Sequence, residues 1–159
     1  LAANNEYPYK HLAFSPDGTK IYFNAYINNT KWSNVIYVMN SDGTYQLQLY
    51  EDINIADYLS ISPDGSKIVY NDYHNLYVMN SDGSGITQIE TAIKPRNSHI
   101  SHNGAKIVYS IYSITGDIYI IDINGSNERK IHRGFKPTFS PDDSKIAFSG
   151  SYLYETVNY

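Results

Sequence analysis

The chain has 159 residues and a formal charge of −4. Without any cluster of Lys or Arg, this charge argues against a nucleic-acid partner or an anionic membrane surface, because both require a basic face that neutralises phosphate. The absence of cysteine excludes disulfides, thiolate nucleophiles and zinc-thiolate sites. No apolar run reaches the length of about 20 residues that crosses a bilayer, so membrane insertion is not expected.

A ten-residue motif at 14–23, Phe-Ser-Pro-Asp-Gly-Thr-Lys-Ile-Tyr-Phe, recurs three more times with drift. Its serine stands at Ser15, Ser62, Ser101 and Ser140, with steps of 47, 39 and 39 residues, and the Ser101 copy is the most altered. A period of about 40 residues that carries only strand and turn signals is typical of stacked β-units.

The first unit follows a lead-in over residues 1–10 and begins with a predicted strand at 11–14. The segment Ser15-Pro16-Asp17-Gly18 favours a type I turn, since Pro presets φ at the second position and Gly tolerates a positive φ at the fourth. Further strands are predicted at 20–24, 35–39 and 45–49, with an Asn-Ser-Asp-Gly turn before the last of them. These elements predict a four-stranded antiparallel unit whose successive strands are neighbours.

The same plan repeats along the chain. Unit two is predicted to have strands at 58–61, 67–71, 76–79 and 86–90, and unit three at 98–100, 106–110, 118–121 and 128–132. Unit four has predicted strands at 137–139 and 145–149, and residues 151–159 offer at most a third. The interpretation is a single domain over 1–159, with units at approximately 11–50, 57–91, 97–132 and 135–159, the last of them incomplete.

The second and third strands of each unit are apolar at consecutive positions, which indicates that both faces of each sheet are covered. Four-stranded units that need a neighbour on each face are typical of β-propeller blades. A β-sandwich is the alternative, but a sandwich does not require the same two turns at the same two places in every unit. The predicted fold class is therefore an all-β propeller of about three and a half blades.

The motif Phe-Ser-Pro-Asp-Gly-x-Lys-Ile-x-Phe, followed by Ile-Tyr-Val-Met-Asn-x-Asp-Gly, resembles the TolB-type repeat, a WD-like class. The resemblance covers about residues 11–149 and departs from the turn consensus at His102, Asn103 and Asp143. It implies a TolB-like propeller, commonly of six or seven blades. It also implies a bacterial protein in the periplasm or outside the cell, where such propellers occur alone or beside hydrolase domains.

Blade number is where the sequence departs most from that family, because propellers typically close with four to eight blades. The favoured expectation is a fragment of a longer propeller, since the sequence stops inside a repeat. Alternatively, residues 1–9 supply the missing strand of a four-bladed ring, or a second chain completes the ring as a homodimer. Against the four-bladed ring, Glu155 is expected at the position of Val38 and Val78, where a covered face disfavours a charge.

The two ends of the blades differ in sequence. One face carries the repeated Ser-Pro-Asp-Gly and Asn-Ser-Asp-Gly turns, and we call it the uniform face. The other carries loops that differ between units, and we call it the variable face. Binding residues tend to lie on loops positioned by a rigid scaffold. The predicted binding residues on the variable face are Tyr26, Trp32, Tyr50, Asp72, Tyr73, His74, Arg96 and Tyr112. The alternative is that these aromatic side chains only pack at the surface and between blades.

No catalytic residue, cofactor or metal is expected. The Asp-x-Asn-Gly segment at 122–125 resembles part of a calcium loop, but Ile131 stands where the bidentate Glu belongs. His99 and His102 have a spacing that points the two rings to opposite faces of a strand, which disfavours a shared metal. No Gly-x-Ser-x-Gly nucleophile elbow occurs.

The sequence favours a non-catalytic binding or scaffold module that holds a protein partner, since aromatic and Arg anchors suit such partners. A carbohydrate partner is an alternative. The second hypothesis is the propeller part of an enzyme, either the gate of a peptidase or a polysaccharide-cleaving propeller.

Overall fold

A computed structural model describes residues 11–27, 33–52, 55–72, 74–111, 113, 116–150 and 154–158. These ranges contain fifteen β-strands and no helix. It follows that no helix within them is long and apolar enough to cross a membrane. The predicted lead-in at 1–10 lies outside the described residues.

The strands form four antiparallel sheets, each made of strands that follow one another in the chain. Blade 1 contains β1 (His11–Phe14), β2 (Lys20–Ile27), β3 (Ser33–Asn40) and β4 (Leu47–Asp52). Blade 2 contains β5 (Ile55–Ile61), β6 (Lys67–Asp72), β7 (Leu76–Asn80) and β8 (Thr87–Ile89). Blade 3 contains β9 (Pro95–Ile100), β10 (Lys106–Ile111), β11 (Ile118–Asp122) and β12 (Arg129–His132). Blade 4 contains β13 (Phe135–Phe139), β14 (Lys145–Ser149) and β15 (Tyr154–Asn158).

The first strands of the blades lie side by side at the centre of the molecule. Strand β1 contacts β5, β5 contacts β9, and β9 contacts β13. The four sheets are therefore arranged radially about these inner strands, which is the arrangement of propeller blades. The predicted all-β propeller with antiparallel blades is confirmed, including a fourth blade with three strands in the described part of the chain.

Each pair of neighbouring blades shares an apolar core. In β6 the consecutive residues Ile68, Val69 and Tyr70 are all at most 1% exposed. Ile68 and Tyr70 pack into the core between blades 1 and 2, whereas Val69 packs into the core between blades 2 and 3. A third core joins blades 3 and 4 around Val108 and Phe148. Consecutive apolar residues thus serve opposite faces of one blade, as the sequence predicts.

The repeated turns lie together at one end of each blade. In blade 1, Gly18 N–H donates to Ser15 O at 2.9 Å and Gly43 N–H donates to Asn40 O at 2.9 Å, which closes both predicted turns. Ser41 N–H donates to Thr19 O at 2.8 Å, so the second turn is bound to the first. Ser81 and Ile123 make the same bond in blades 2 and 3. The repeated bond supports the assignment of both turn types to the uniform face.

The register of β15 corrects the position predicted for Glu155. In blade 4, Glu155 pairs with Phe148. In blade 2, Tyr70 occupies the position of Phe148 and pairs with Tyr77, so Glu155 corresponds to Tyr77. Val78 pairs with Val69, so its counterpart in blade 4 is Thr156. The prediction was wrong by one residue, and a shift of one residue exchanges the two faces of a strand. The objection to a four-bladed ring that was based on Glu155 therefore does not hold.

The outer strand of blade 1 begins later than predicted. Strand β4 starts at Leu47 rather than at Tyr45. Tyr45 has a φ of 52°, in the left-handed region, and is 86% exposed. A residue with this backbone conformation cannot continue a regular strand, so Tyr45 belongs to the turn.

Candidate binding surfaces

The aspartates of the uniform face are used by the turns themselves. In blade 1, Asp17 Oδ1 accepts hydrogen bonds from Ser15 Oγ at 2.5 Å, from Thr19 N–H at 3.0 Å and from Thr19 Oγ1 at 2.9 Å. Ser15 Oγ in turn accepts from Lys20 N–H at 2.9 Å. The same set of bonds recurs around Asp64 and Asp142. These carboxylates hold the chain where it reverses, which is the structural role that the repeat pattern predicts.

The hydrogen bonds lower the pKa of each of these turn aspartates. The Ser15 hydroxyl and the Thr19 N–H hold the pKa of Asp17 below its ordinary value. The Ser62 hydroxyl and the Ser66 N–H lower the pKa of Asp64 to about 2. A lowered pKa means that the folded state binds a proton less readily than the unfolded chain does. The carboxylates thus stabilise the fold while they are ionised.

We expect Asp64→Asn to weaken the acid sensitivity of the fold. Because the folded pKa is depressed, the stabilisation is present above the unfolded value of 3.8 and is lost as the pH falls towards about 2. Asp64 is solvent-exposed, which reduces the effect, so the drop in Tm between pH 4.5 and pH 2.5 should shrink by about 1–3 °C in the variant. Thermal unfolding followed by circular dichroism measures this change. The same drop in Tm for the variant and the parent protein would contradict the expectation.

The two altered turns, at 101–104 and 140–143, are hydrogen-bonded to each other. Asp143 occupies the position of the turn glycine with a φ of 58°. Its carboxylate accepts hydrogen bonds from His102 N–H at 2.5 Å and from Asn103 N–H at 2.8 Å, across the boundary between blades 3 and 4. Asn103 Oδ1 still accepts from Ser101 Oγ at 2.9 Å, as an aspartate does in the other turns. A neutral amide here keeps the turn and avoids a second negative charge beside Asp143.

Five of the eight predicted binding residues lie within the described part of the chain. The described part of the chain places Tyr50 in β4, Asp72 at the end of β6, His74 in the loop that follows and Arg96 in β9. Tyr26 lies in β2, where it pairs with Asn34. Trp32, Tyr73 and Tyr112 lie outside the described residues.

Asp72 organises the loop between β6 and β7. Its side chain accepts hydrogen bonds from His74 N–H at 2.5 Å, from Asn75 N–H, and from the Tyr77 hydroxyl at 3.1 Å. Asp72 is 6% exposed, whereas His74 is exposed. The buried carboxylate therefore fixes the loop backbone, and the His74 side chain is presented to solvent.

The backbone around Arg96 is held on both sides. The side-chain amide of the buried Asn71 donates to Pro95 O at 3.3 Å, which links β6 to the start of β9. Ser110 Oγ donates to Arg96 O at 3.3 Å. Arg96 is partly buried near the start of an inner strand, close to the centre of the variable face. These hydrogen bonds hold the backbone from which its side chain extends.

Tyr50 is tied to the packing between blades. Its ring lies 5.8 Å from the ring of Tyr70, tilted by 47°, and packs against the core between blades 1 and 2. The ring of Tyr70 is stacked on Tyr77 at 5.1 Å. The core-facing side of Tyr50 therefore packs between blades, which is the alternative role that the sequence left open for these aromatic residues.

A concave site on the uniform face was not predicted. At the ends of the inner strands, a cavity of about 430 Å³ is lined by Phe14, Pro16, Ile61, Pro63, His99, Ile100, His102, Phe139 and Ser140. We call it the channel-end cavity. All four blades contribute to it.

The strand spacing from which His99 and His102 were expected to point apart does not apply to both residues. Both line the channel-end cavity. Strand β9 ends at Ile100, so His102 lies in the following turn and the alternation of a strand does not reach it. Within the described ranges, no three His, Asp or Glu side chains lie close enough together to hold a metal ion.

Comparisons with known proteins found likeness in structure but not in sequence. No family model matches the chain, and no curated protein matches it. TolB from Acinetobacter baumannii is 18% identical with a TM-score of 0.75, over 94% of this chain and 40% of that one. Nidogen, solved in a complex with laminin, is 16% identical with a TM-score of 0.74, over 92% and 59%. An oligogalacturonate lyase from Vibrio parahaemolyticus is 18% identical with a TM-score of 0.70, over 91% and 46%.

Radial four-stranded blades with shared cores define the class of this protein as a β-propeller. Its fold is similar to that of the TolB propeller. The chain spans less than two thirds of the length of each of these relatives.

Proposed function

We propose that this chain is a non-catalytic binding module that holds a protein partner on its variable face. The observation that carries the proposal is the contrast between the two faces. On the uniform face the turn aspartates are engaged by their own turns. On the variable face a buried carboxylate, Asp72, fixes a loop that presents His74 to solvent. Side chains on a fixed backbone lose less freedom when they bind, so they support tighter recognition.

The relatives support a protein partner. Nidogen was solved in a complex with laminin, and its propeller has the same fold as this chain. The TolB-like fold also supports a location in the periplasm or outside the cell. A carbohydrate partner and a homodimer that completes the ring are the alternatives within the same proposal.

We expect replacement of variable-face anchors to weaken capture of the partner without unfolding the protein. Trp32→Ala and His74→Ala should each reduce recovery of the partner from an extract of the source organism by about 10-fold, the size of a moderate hot spot. Quantitative pull-down with mass spectrometry measures recovery. Tyr45→Ala is the matched control, because Tyr45 is 86% exposed on the opposite face. Equal recovery for all three variants would contradict the proposal.

The likeness to an oligogalacturonate lyase supports a second candidate function, the propeller part of a polysaccharide-cleaving enzyme. Incubation of the protein with oligogalacturonate, followed by the absorbance of the unsaturated product, tests it. Product formation that is lost in a heat-denatured sample would favour the enzyme over the binding module.

A further inference from the structure

The sequence contains two Asn-Gly dipeptides, at 103–104 and 124–125, and both lie in turns of blade 3 on the uniform face. This dipeptide is prone to spontaneous deamidation, because glycine has no side chain to obstruct attack of its backbone nitrogen on the preceding amide. Both asparagine side chains are exposed. Gly104 N–H donates to Ser101 O at 3.0 Å and Gly125 N–H donates to Asp122 O at 2.8 Å. The two sites therefore share one local geometry, and a difference in reactivity must come from their surroundings.

The amide of Asn124 is held by donors on its oxygen. Ser126 N–H donates to Asn124 Oδ1 at 3.0 Å, and Ser126 Oγ donates to the same oxygen at 2.7 Å. When the nitrogen of Gly125 attacks Cγ, negative charge develops on this oxygen, and two aimed donors stabilise that charge. The carboxylate of Asp122 is paired with Lys106 Nζ at 2.5 Å, so its charge opposes the reaction less.

Asn103 has similar donors but lies beside a negative charge. Its Oδ1 accepts hydrogen bonds from Ser101 Oγ at 2.9 Å and from Ala105 N–H at 2.9 Å. Its own N–H, however, donates to Asp143 Oδ2 at 2.8 Å, in the neighbouring blade. This carboxylate repels the negative charge that develops when Asn103 is attacked. The bond also ties the turn to blade 4 and resists the backbone rotation that brings the glycine nitrogen to Cγ.

We propose that Asn124 is a site of spontaneous deamidation in the folded protein, and that Asp143 protects Asn103 from the same reaction. The backbone nitrogen of Gly125 loses its proton to solvent and forms a bond to Asn124 Cγ. The bond from Cγ to the amide nitrogen breaks, and ammonia leaves after taking a proton from solvent. Water then opens the resulting succinimide to aspartate or isoaspartate. This site lies on the face opposite the proposed protein-binding surface and does not depend on it.

The turn that contains Asn124 accepts the aspartate product. Asp42 and Asp82 occupy the position of Asn124 in blades 1 and 2. Asp42 Oδ1 accepts hydrogen bonds from Thr44 N–H at 2.9 Å and from Thr44 Oγ1 at 2.7 Å, and Asp82 accepts the same pair in blade 2. These are the bonds that Asn124 already accepts, so an aspartate formed there keeps the turn.

Peptide mapping by mass spectrometry after incubation in mildly alkaline buffer measures both sites. Tryptic peptides 97–106 and 107–129 carry Asn103 and Asn124, and deamidation adds about 1 Da, located by fragmentation. In the folded protein, Asn124 should convert at least about 5-fold faster than Asn103, the size of a moderate charge effect. In urea the ratio should fall below about 2-fold, because the contact with Asp143 is lost. Equal rates in the folded protein, or no conversion of Asn124 until the protein is unfolded, would overturn the proposal.

Asp143→Asn tests the protection of Asn103. The variant removes the charge, and Asn tolerates the φ of 58° at this position. Conversion of Asn103 in the folded protein should rise by about 3-fold or more, whereas that of Asn124 should not change. Glu51→Gln is the control, because it removes the same charge from an exposed side chain in blade 1. An unchanged rate at Asn103 in Asp143→Asn, or an equal rise in Glu51→Gln, would refute the protective role.

Two product mimics test whether the turns accept an aspartate. Asn124→Asp should keep Tm within about 1 °C of the parent protein, whereas Asn103→Asp should lower Tm by about 2–4 °C through repulsion from Asp143. Thermal unfolding followed by circular dichroism measures both. A larger loss for Asn124→Asp than for Asn103→Asp would contradict the assignment of Asn124 as the site whose product the fold accepts.

Discussion

Phe148→Ala should destabilise the protein by about 3–5 kcal/mol, the range for a fully buried aromatic residue. Phe148 is 2% exposed and lies in the core that joins blades 3 and 4. Its ring also contacts His132, with ring centroids 4.7 Å apart. Truncation to Ala leaves a cavity that the rigid sheets on either side fill only in part. Chemical denaturation followed by circular dichroism and tryptophan fluorescence measures the loss.

Phe14→Ala is the matched control for this truncation. Phe14 has the same side chain but is 57% exposed, so its replacement removes little buried area and should cost less than about 1.5 kcal/mol. A loss at Phe148 no larger than the loss at Phe14 would mean that the core between blades 3 and 4 contributes little to stability.

Gly134→Ala should destabilise the protein by about 2–5 kcal/mol, through a steric clash and an unfavourable backbone. Gly134 lies in the link between blades 3 and 4 with a φ of +154°. An added Cβ would stand 2.5 Å from Phe148 Cδ2 and 3.0 Å from Ser149 O. The Phe148 ring is buried and cannot move aside freely, so the link itself must shift.

Two further variants separate the clash from the backbone cost. Gly104→Ala places a Cβ in open space at a φ of +72°, so it should lose only about 1–2 kcal/mol from the left-handed conformation. In the Phe148→Ala background, Gly134→Ala should cost about 1 kcal/mol or more less than in the parent protein, because the nearest clashing atoms are gone. Additive losses in the double variant would contradict the steric explanation.

Most of the strands could be predicted from the sequence, because the signals are local. The turn at 15–18 follows from Ser, Pro and Gly at fixed positions over four residues. Burial of both faces of β6 follows from three consecutive apolar residues, Ile68 to Tyr70. The start of β4 was placed two residues early, because the left-handed conformation of Tyr45 has no clear signal in a tyrosine.

The candidate binding surfaces were less predictable. The sequence distinguished the variable face from the uniform face, but it could not show that the side chain of Asp72 is occupied by its own loop or that Tyr50 packs against a core. The channel-end cavity was missed, although Phe14, Ile61, Ile100 and Phe139 occupy one position of the repeat. A search for apolar residues that directly precede each turn serine is the signal that could have found it.

The sequence by itself determined the repeat, the turn chemistry and the all-β propeller, because these depend on neighbours within a few residues and on a period of about 40. The tertiary structure decided three features that depend on contacts between distant segments. These are the register that pairs Glu155 with Phe148, the bonds of Asp143 to the preceding blade, and the meeting of four strand ends around His99. Each arises where separate repeats touch, and the geometry of that contact is set by the packing of whole blades.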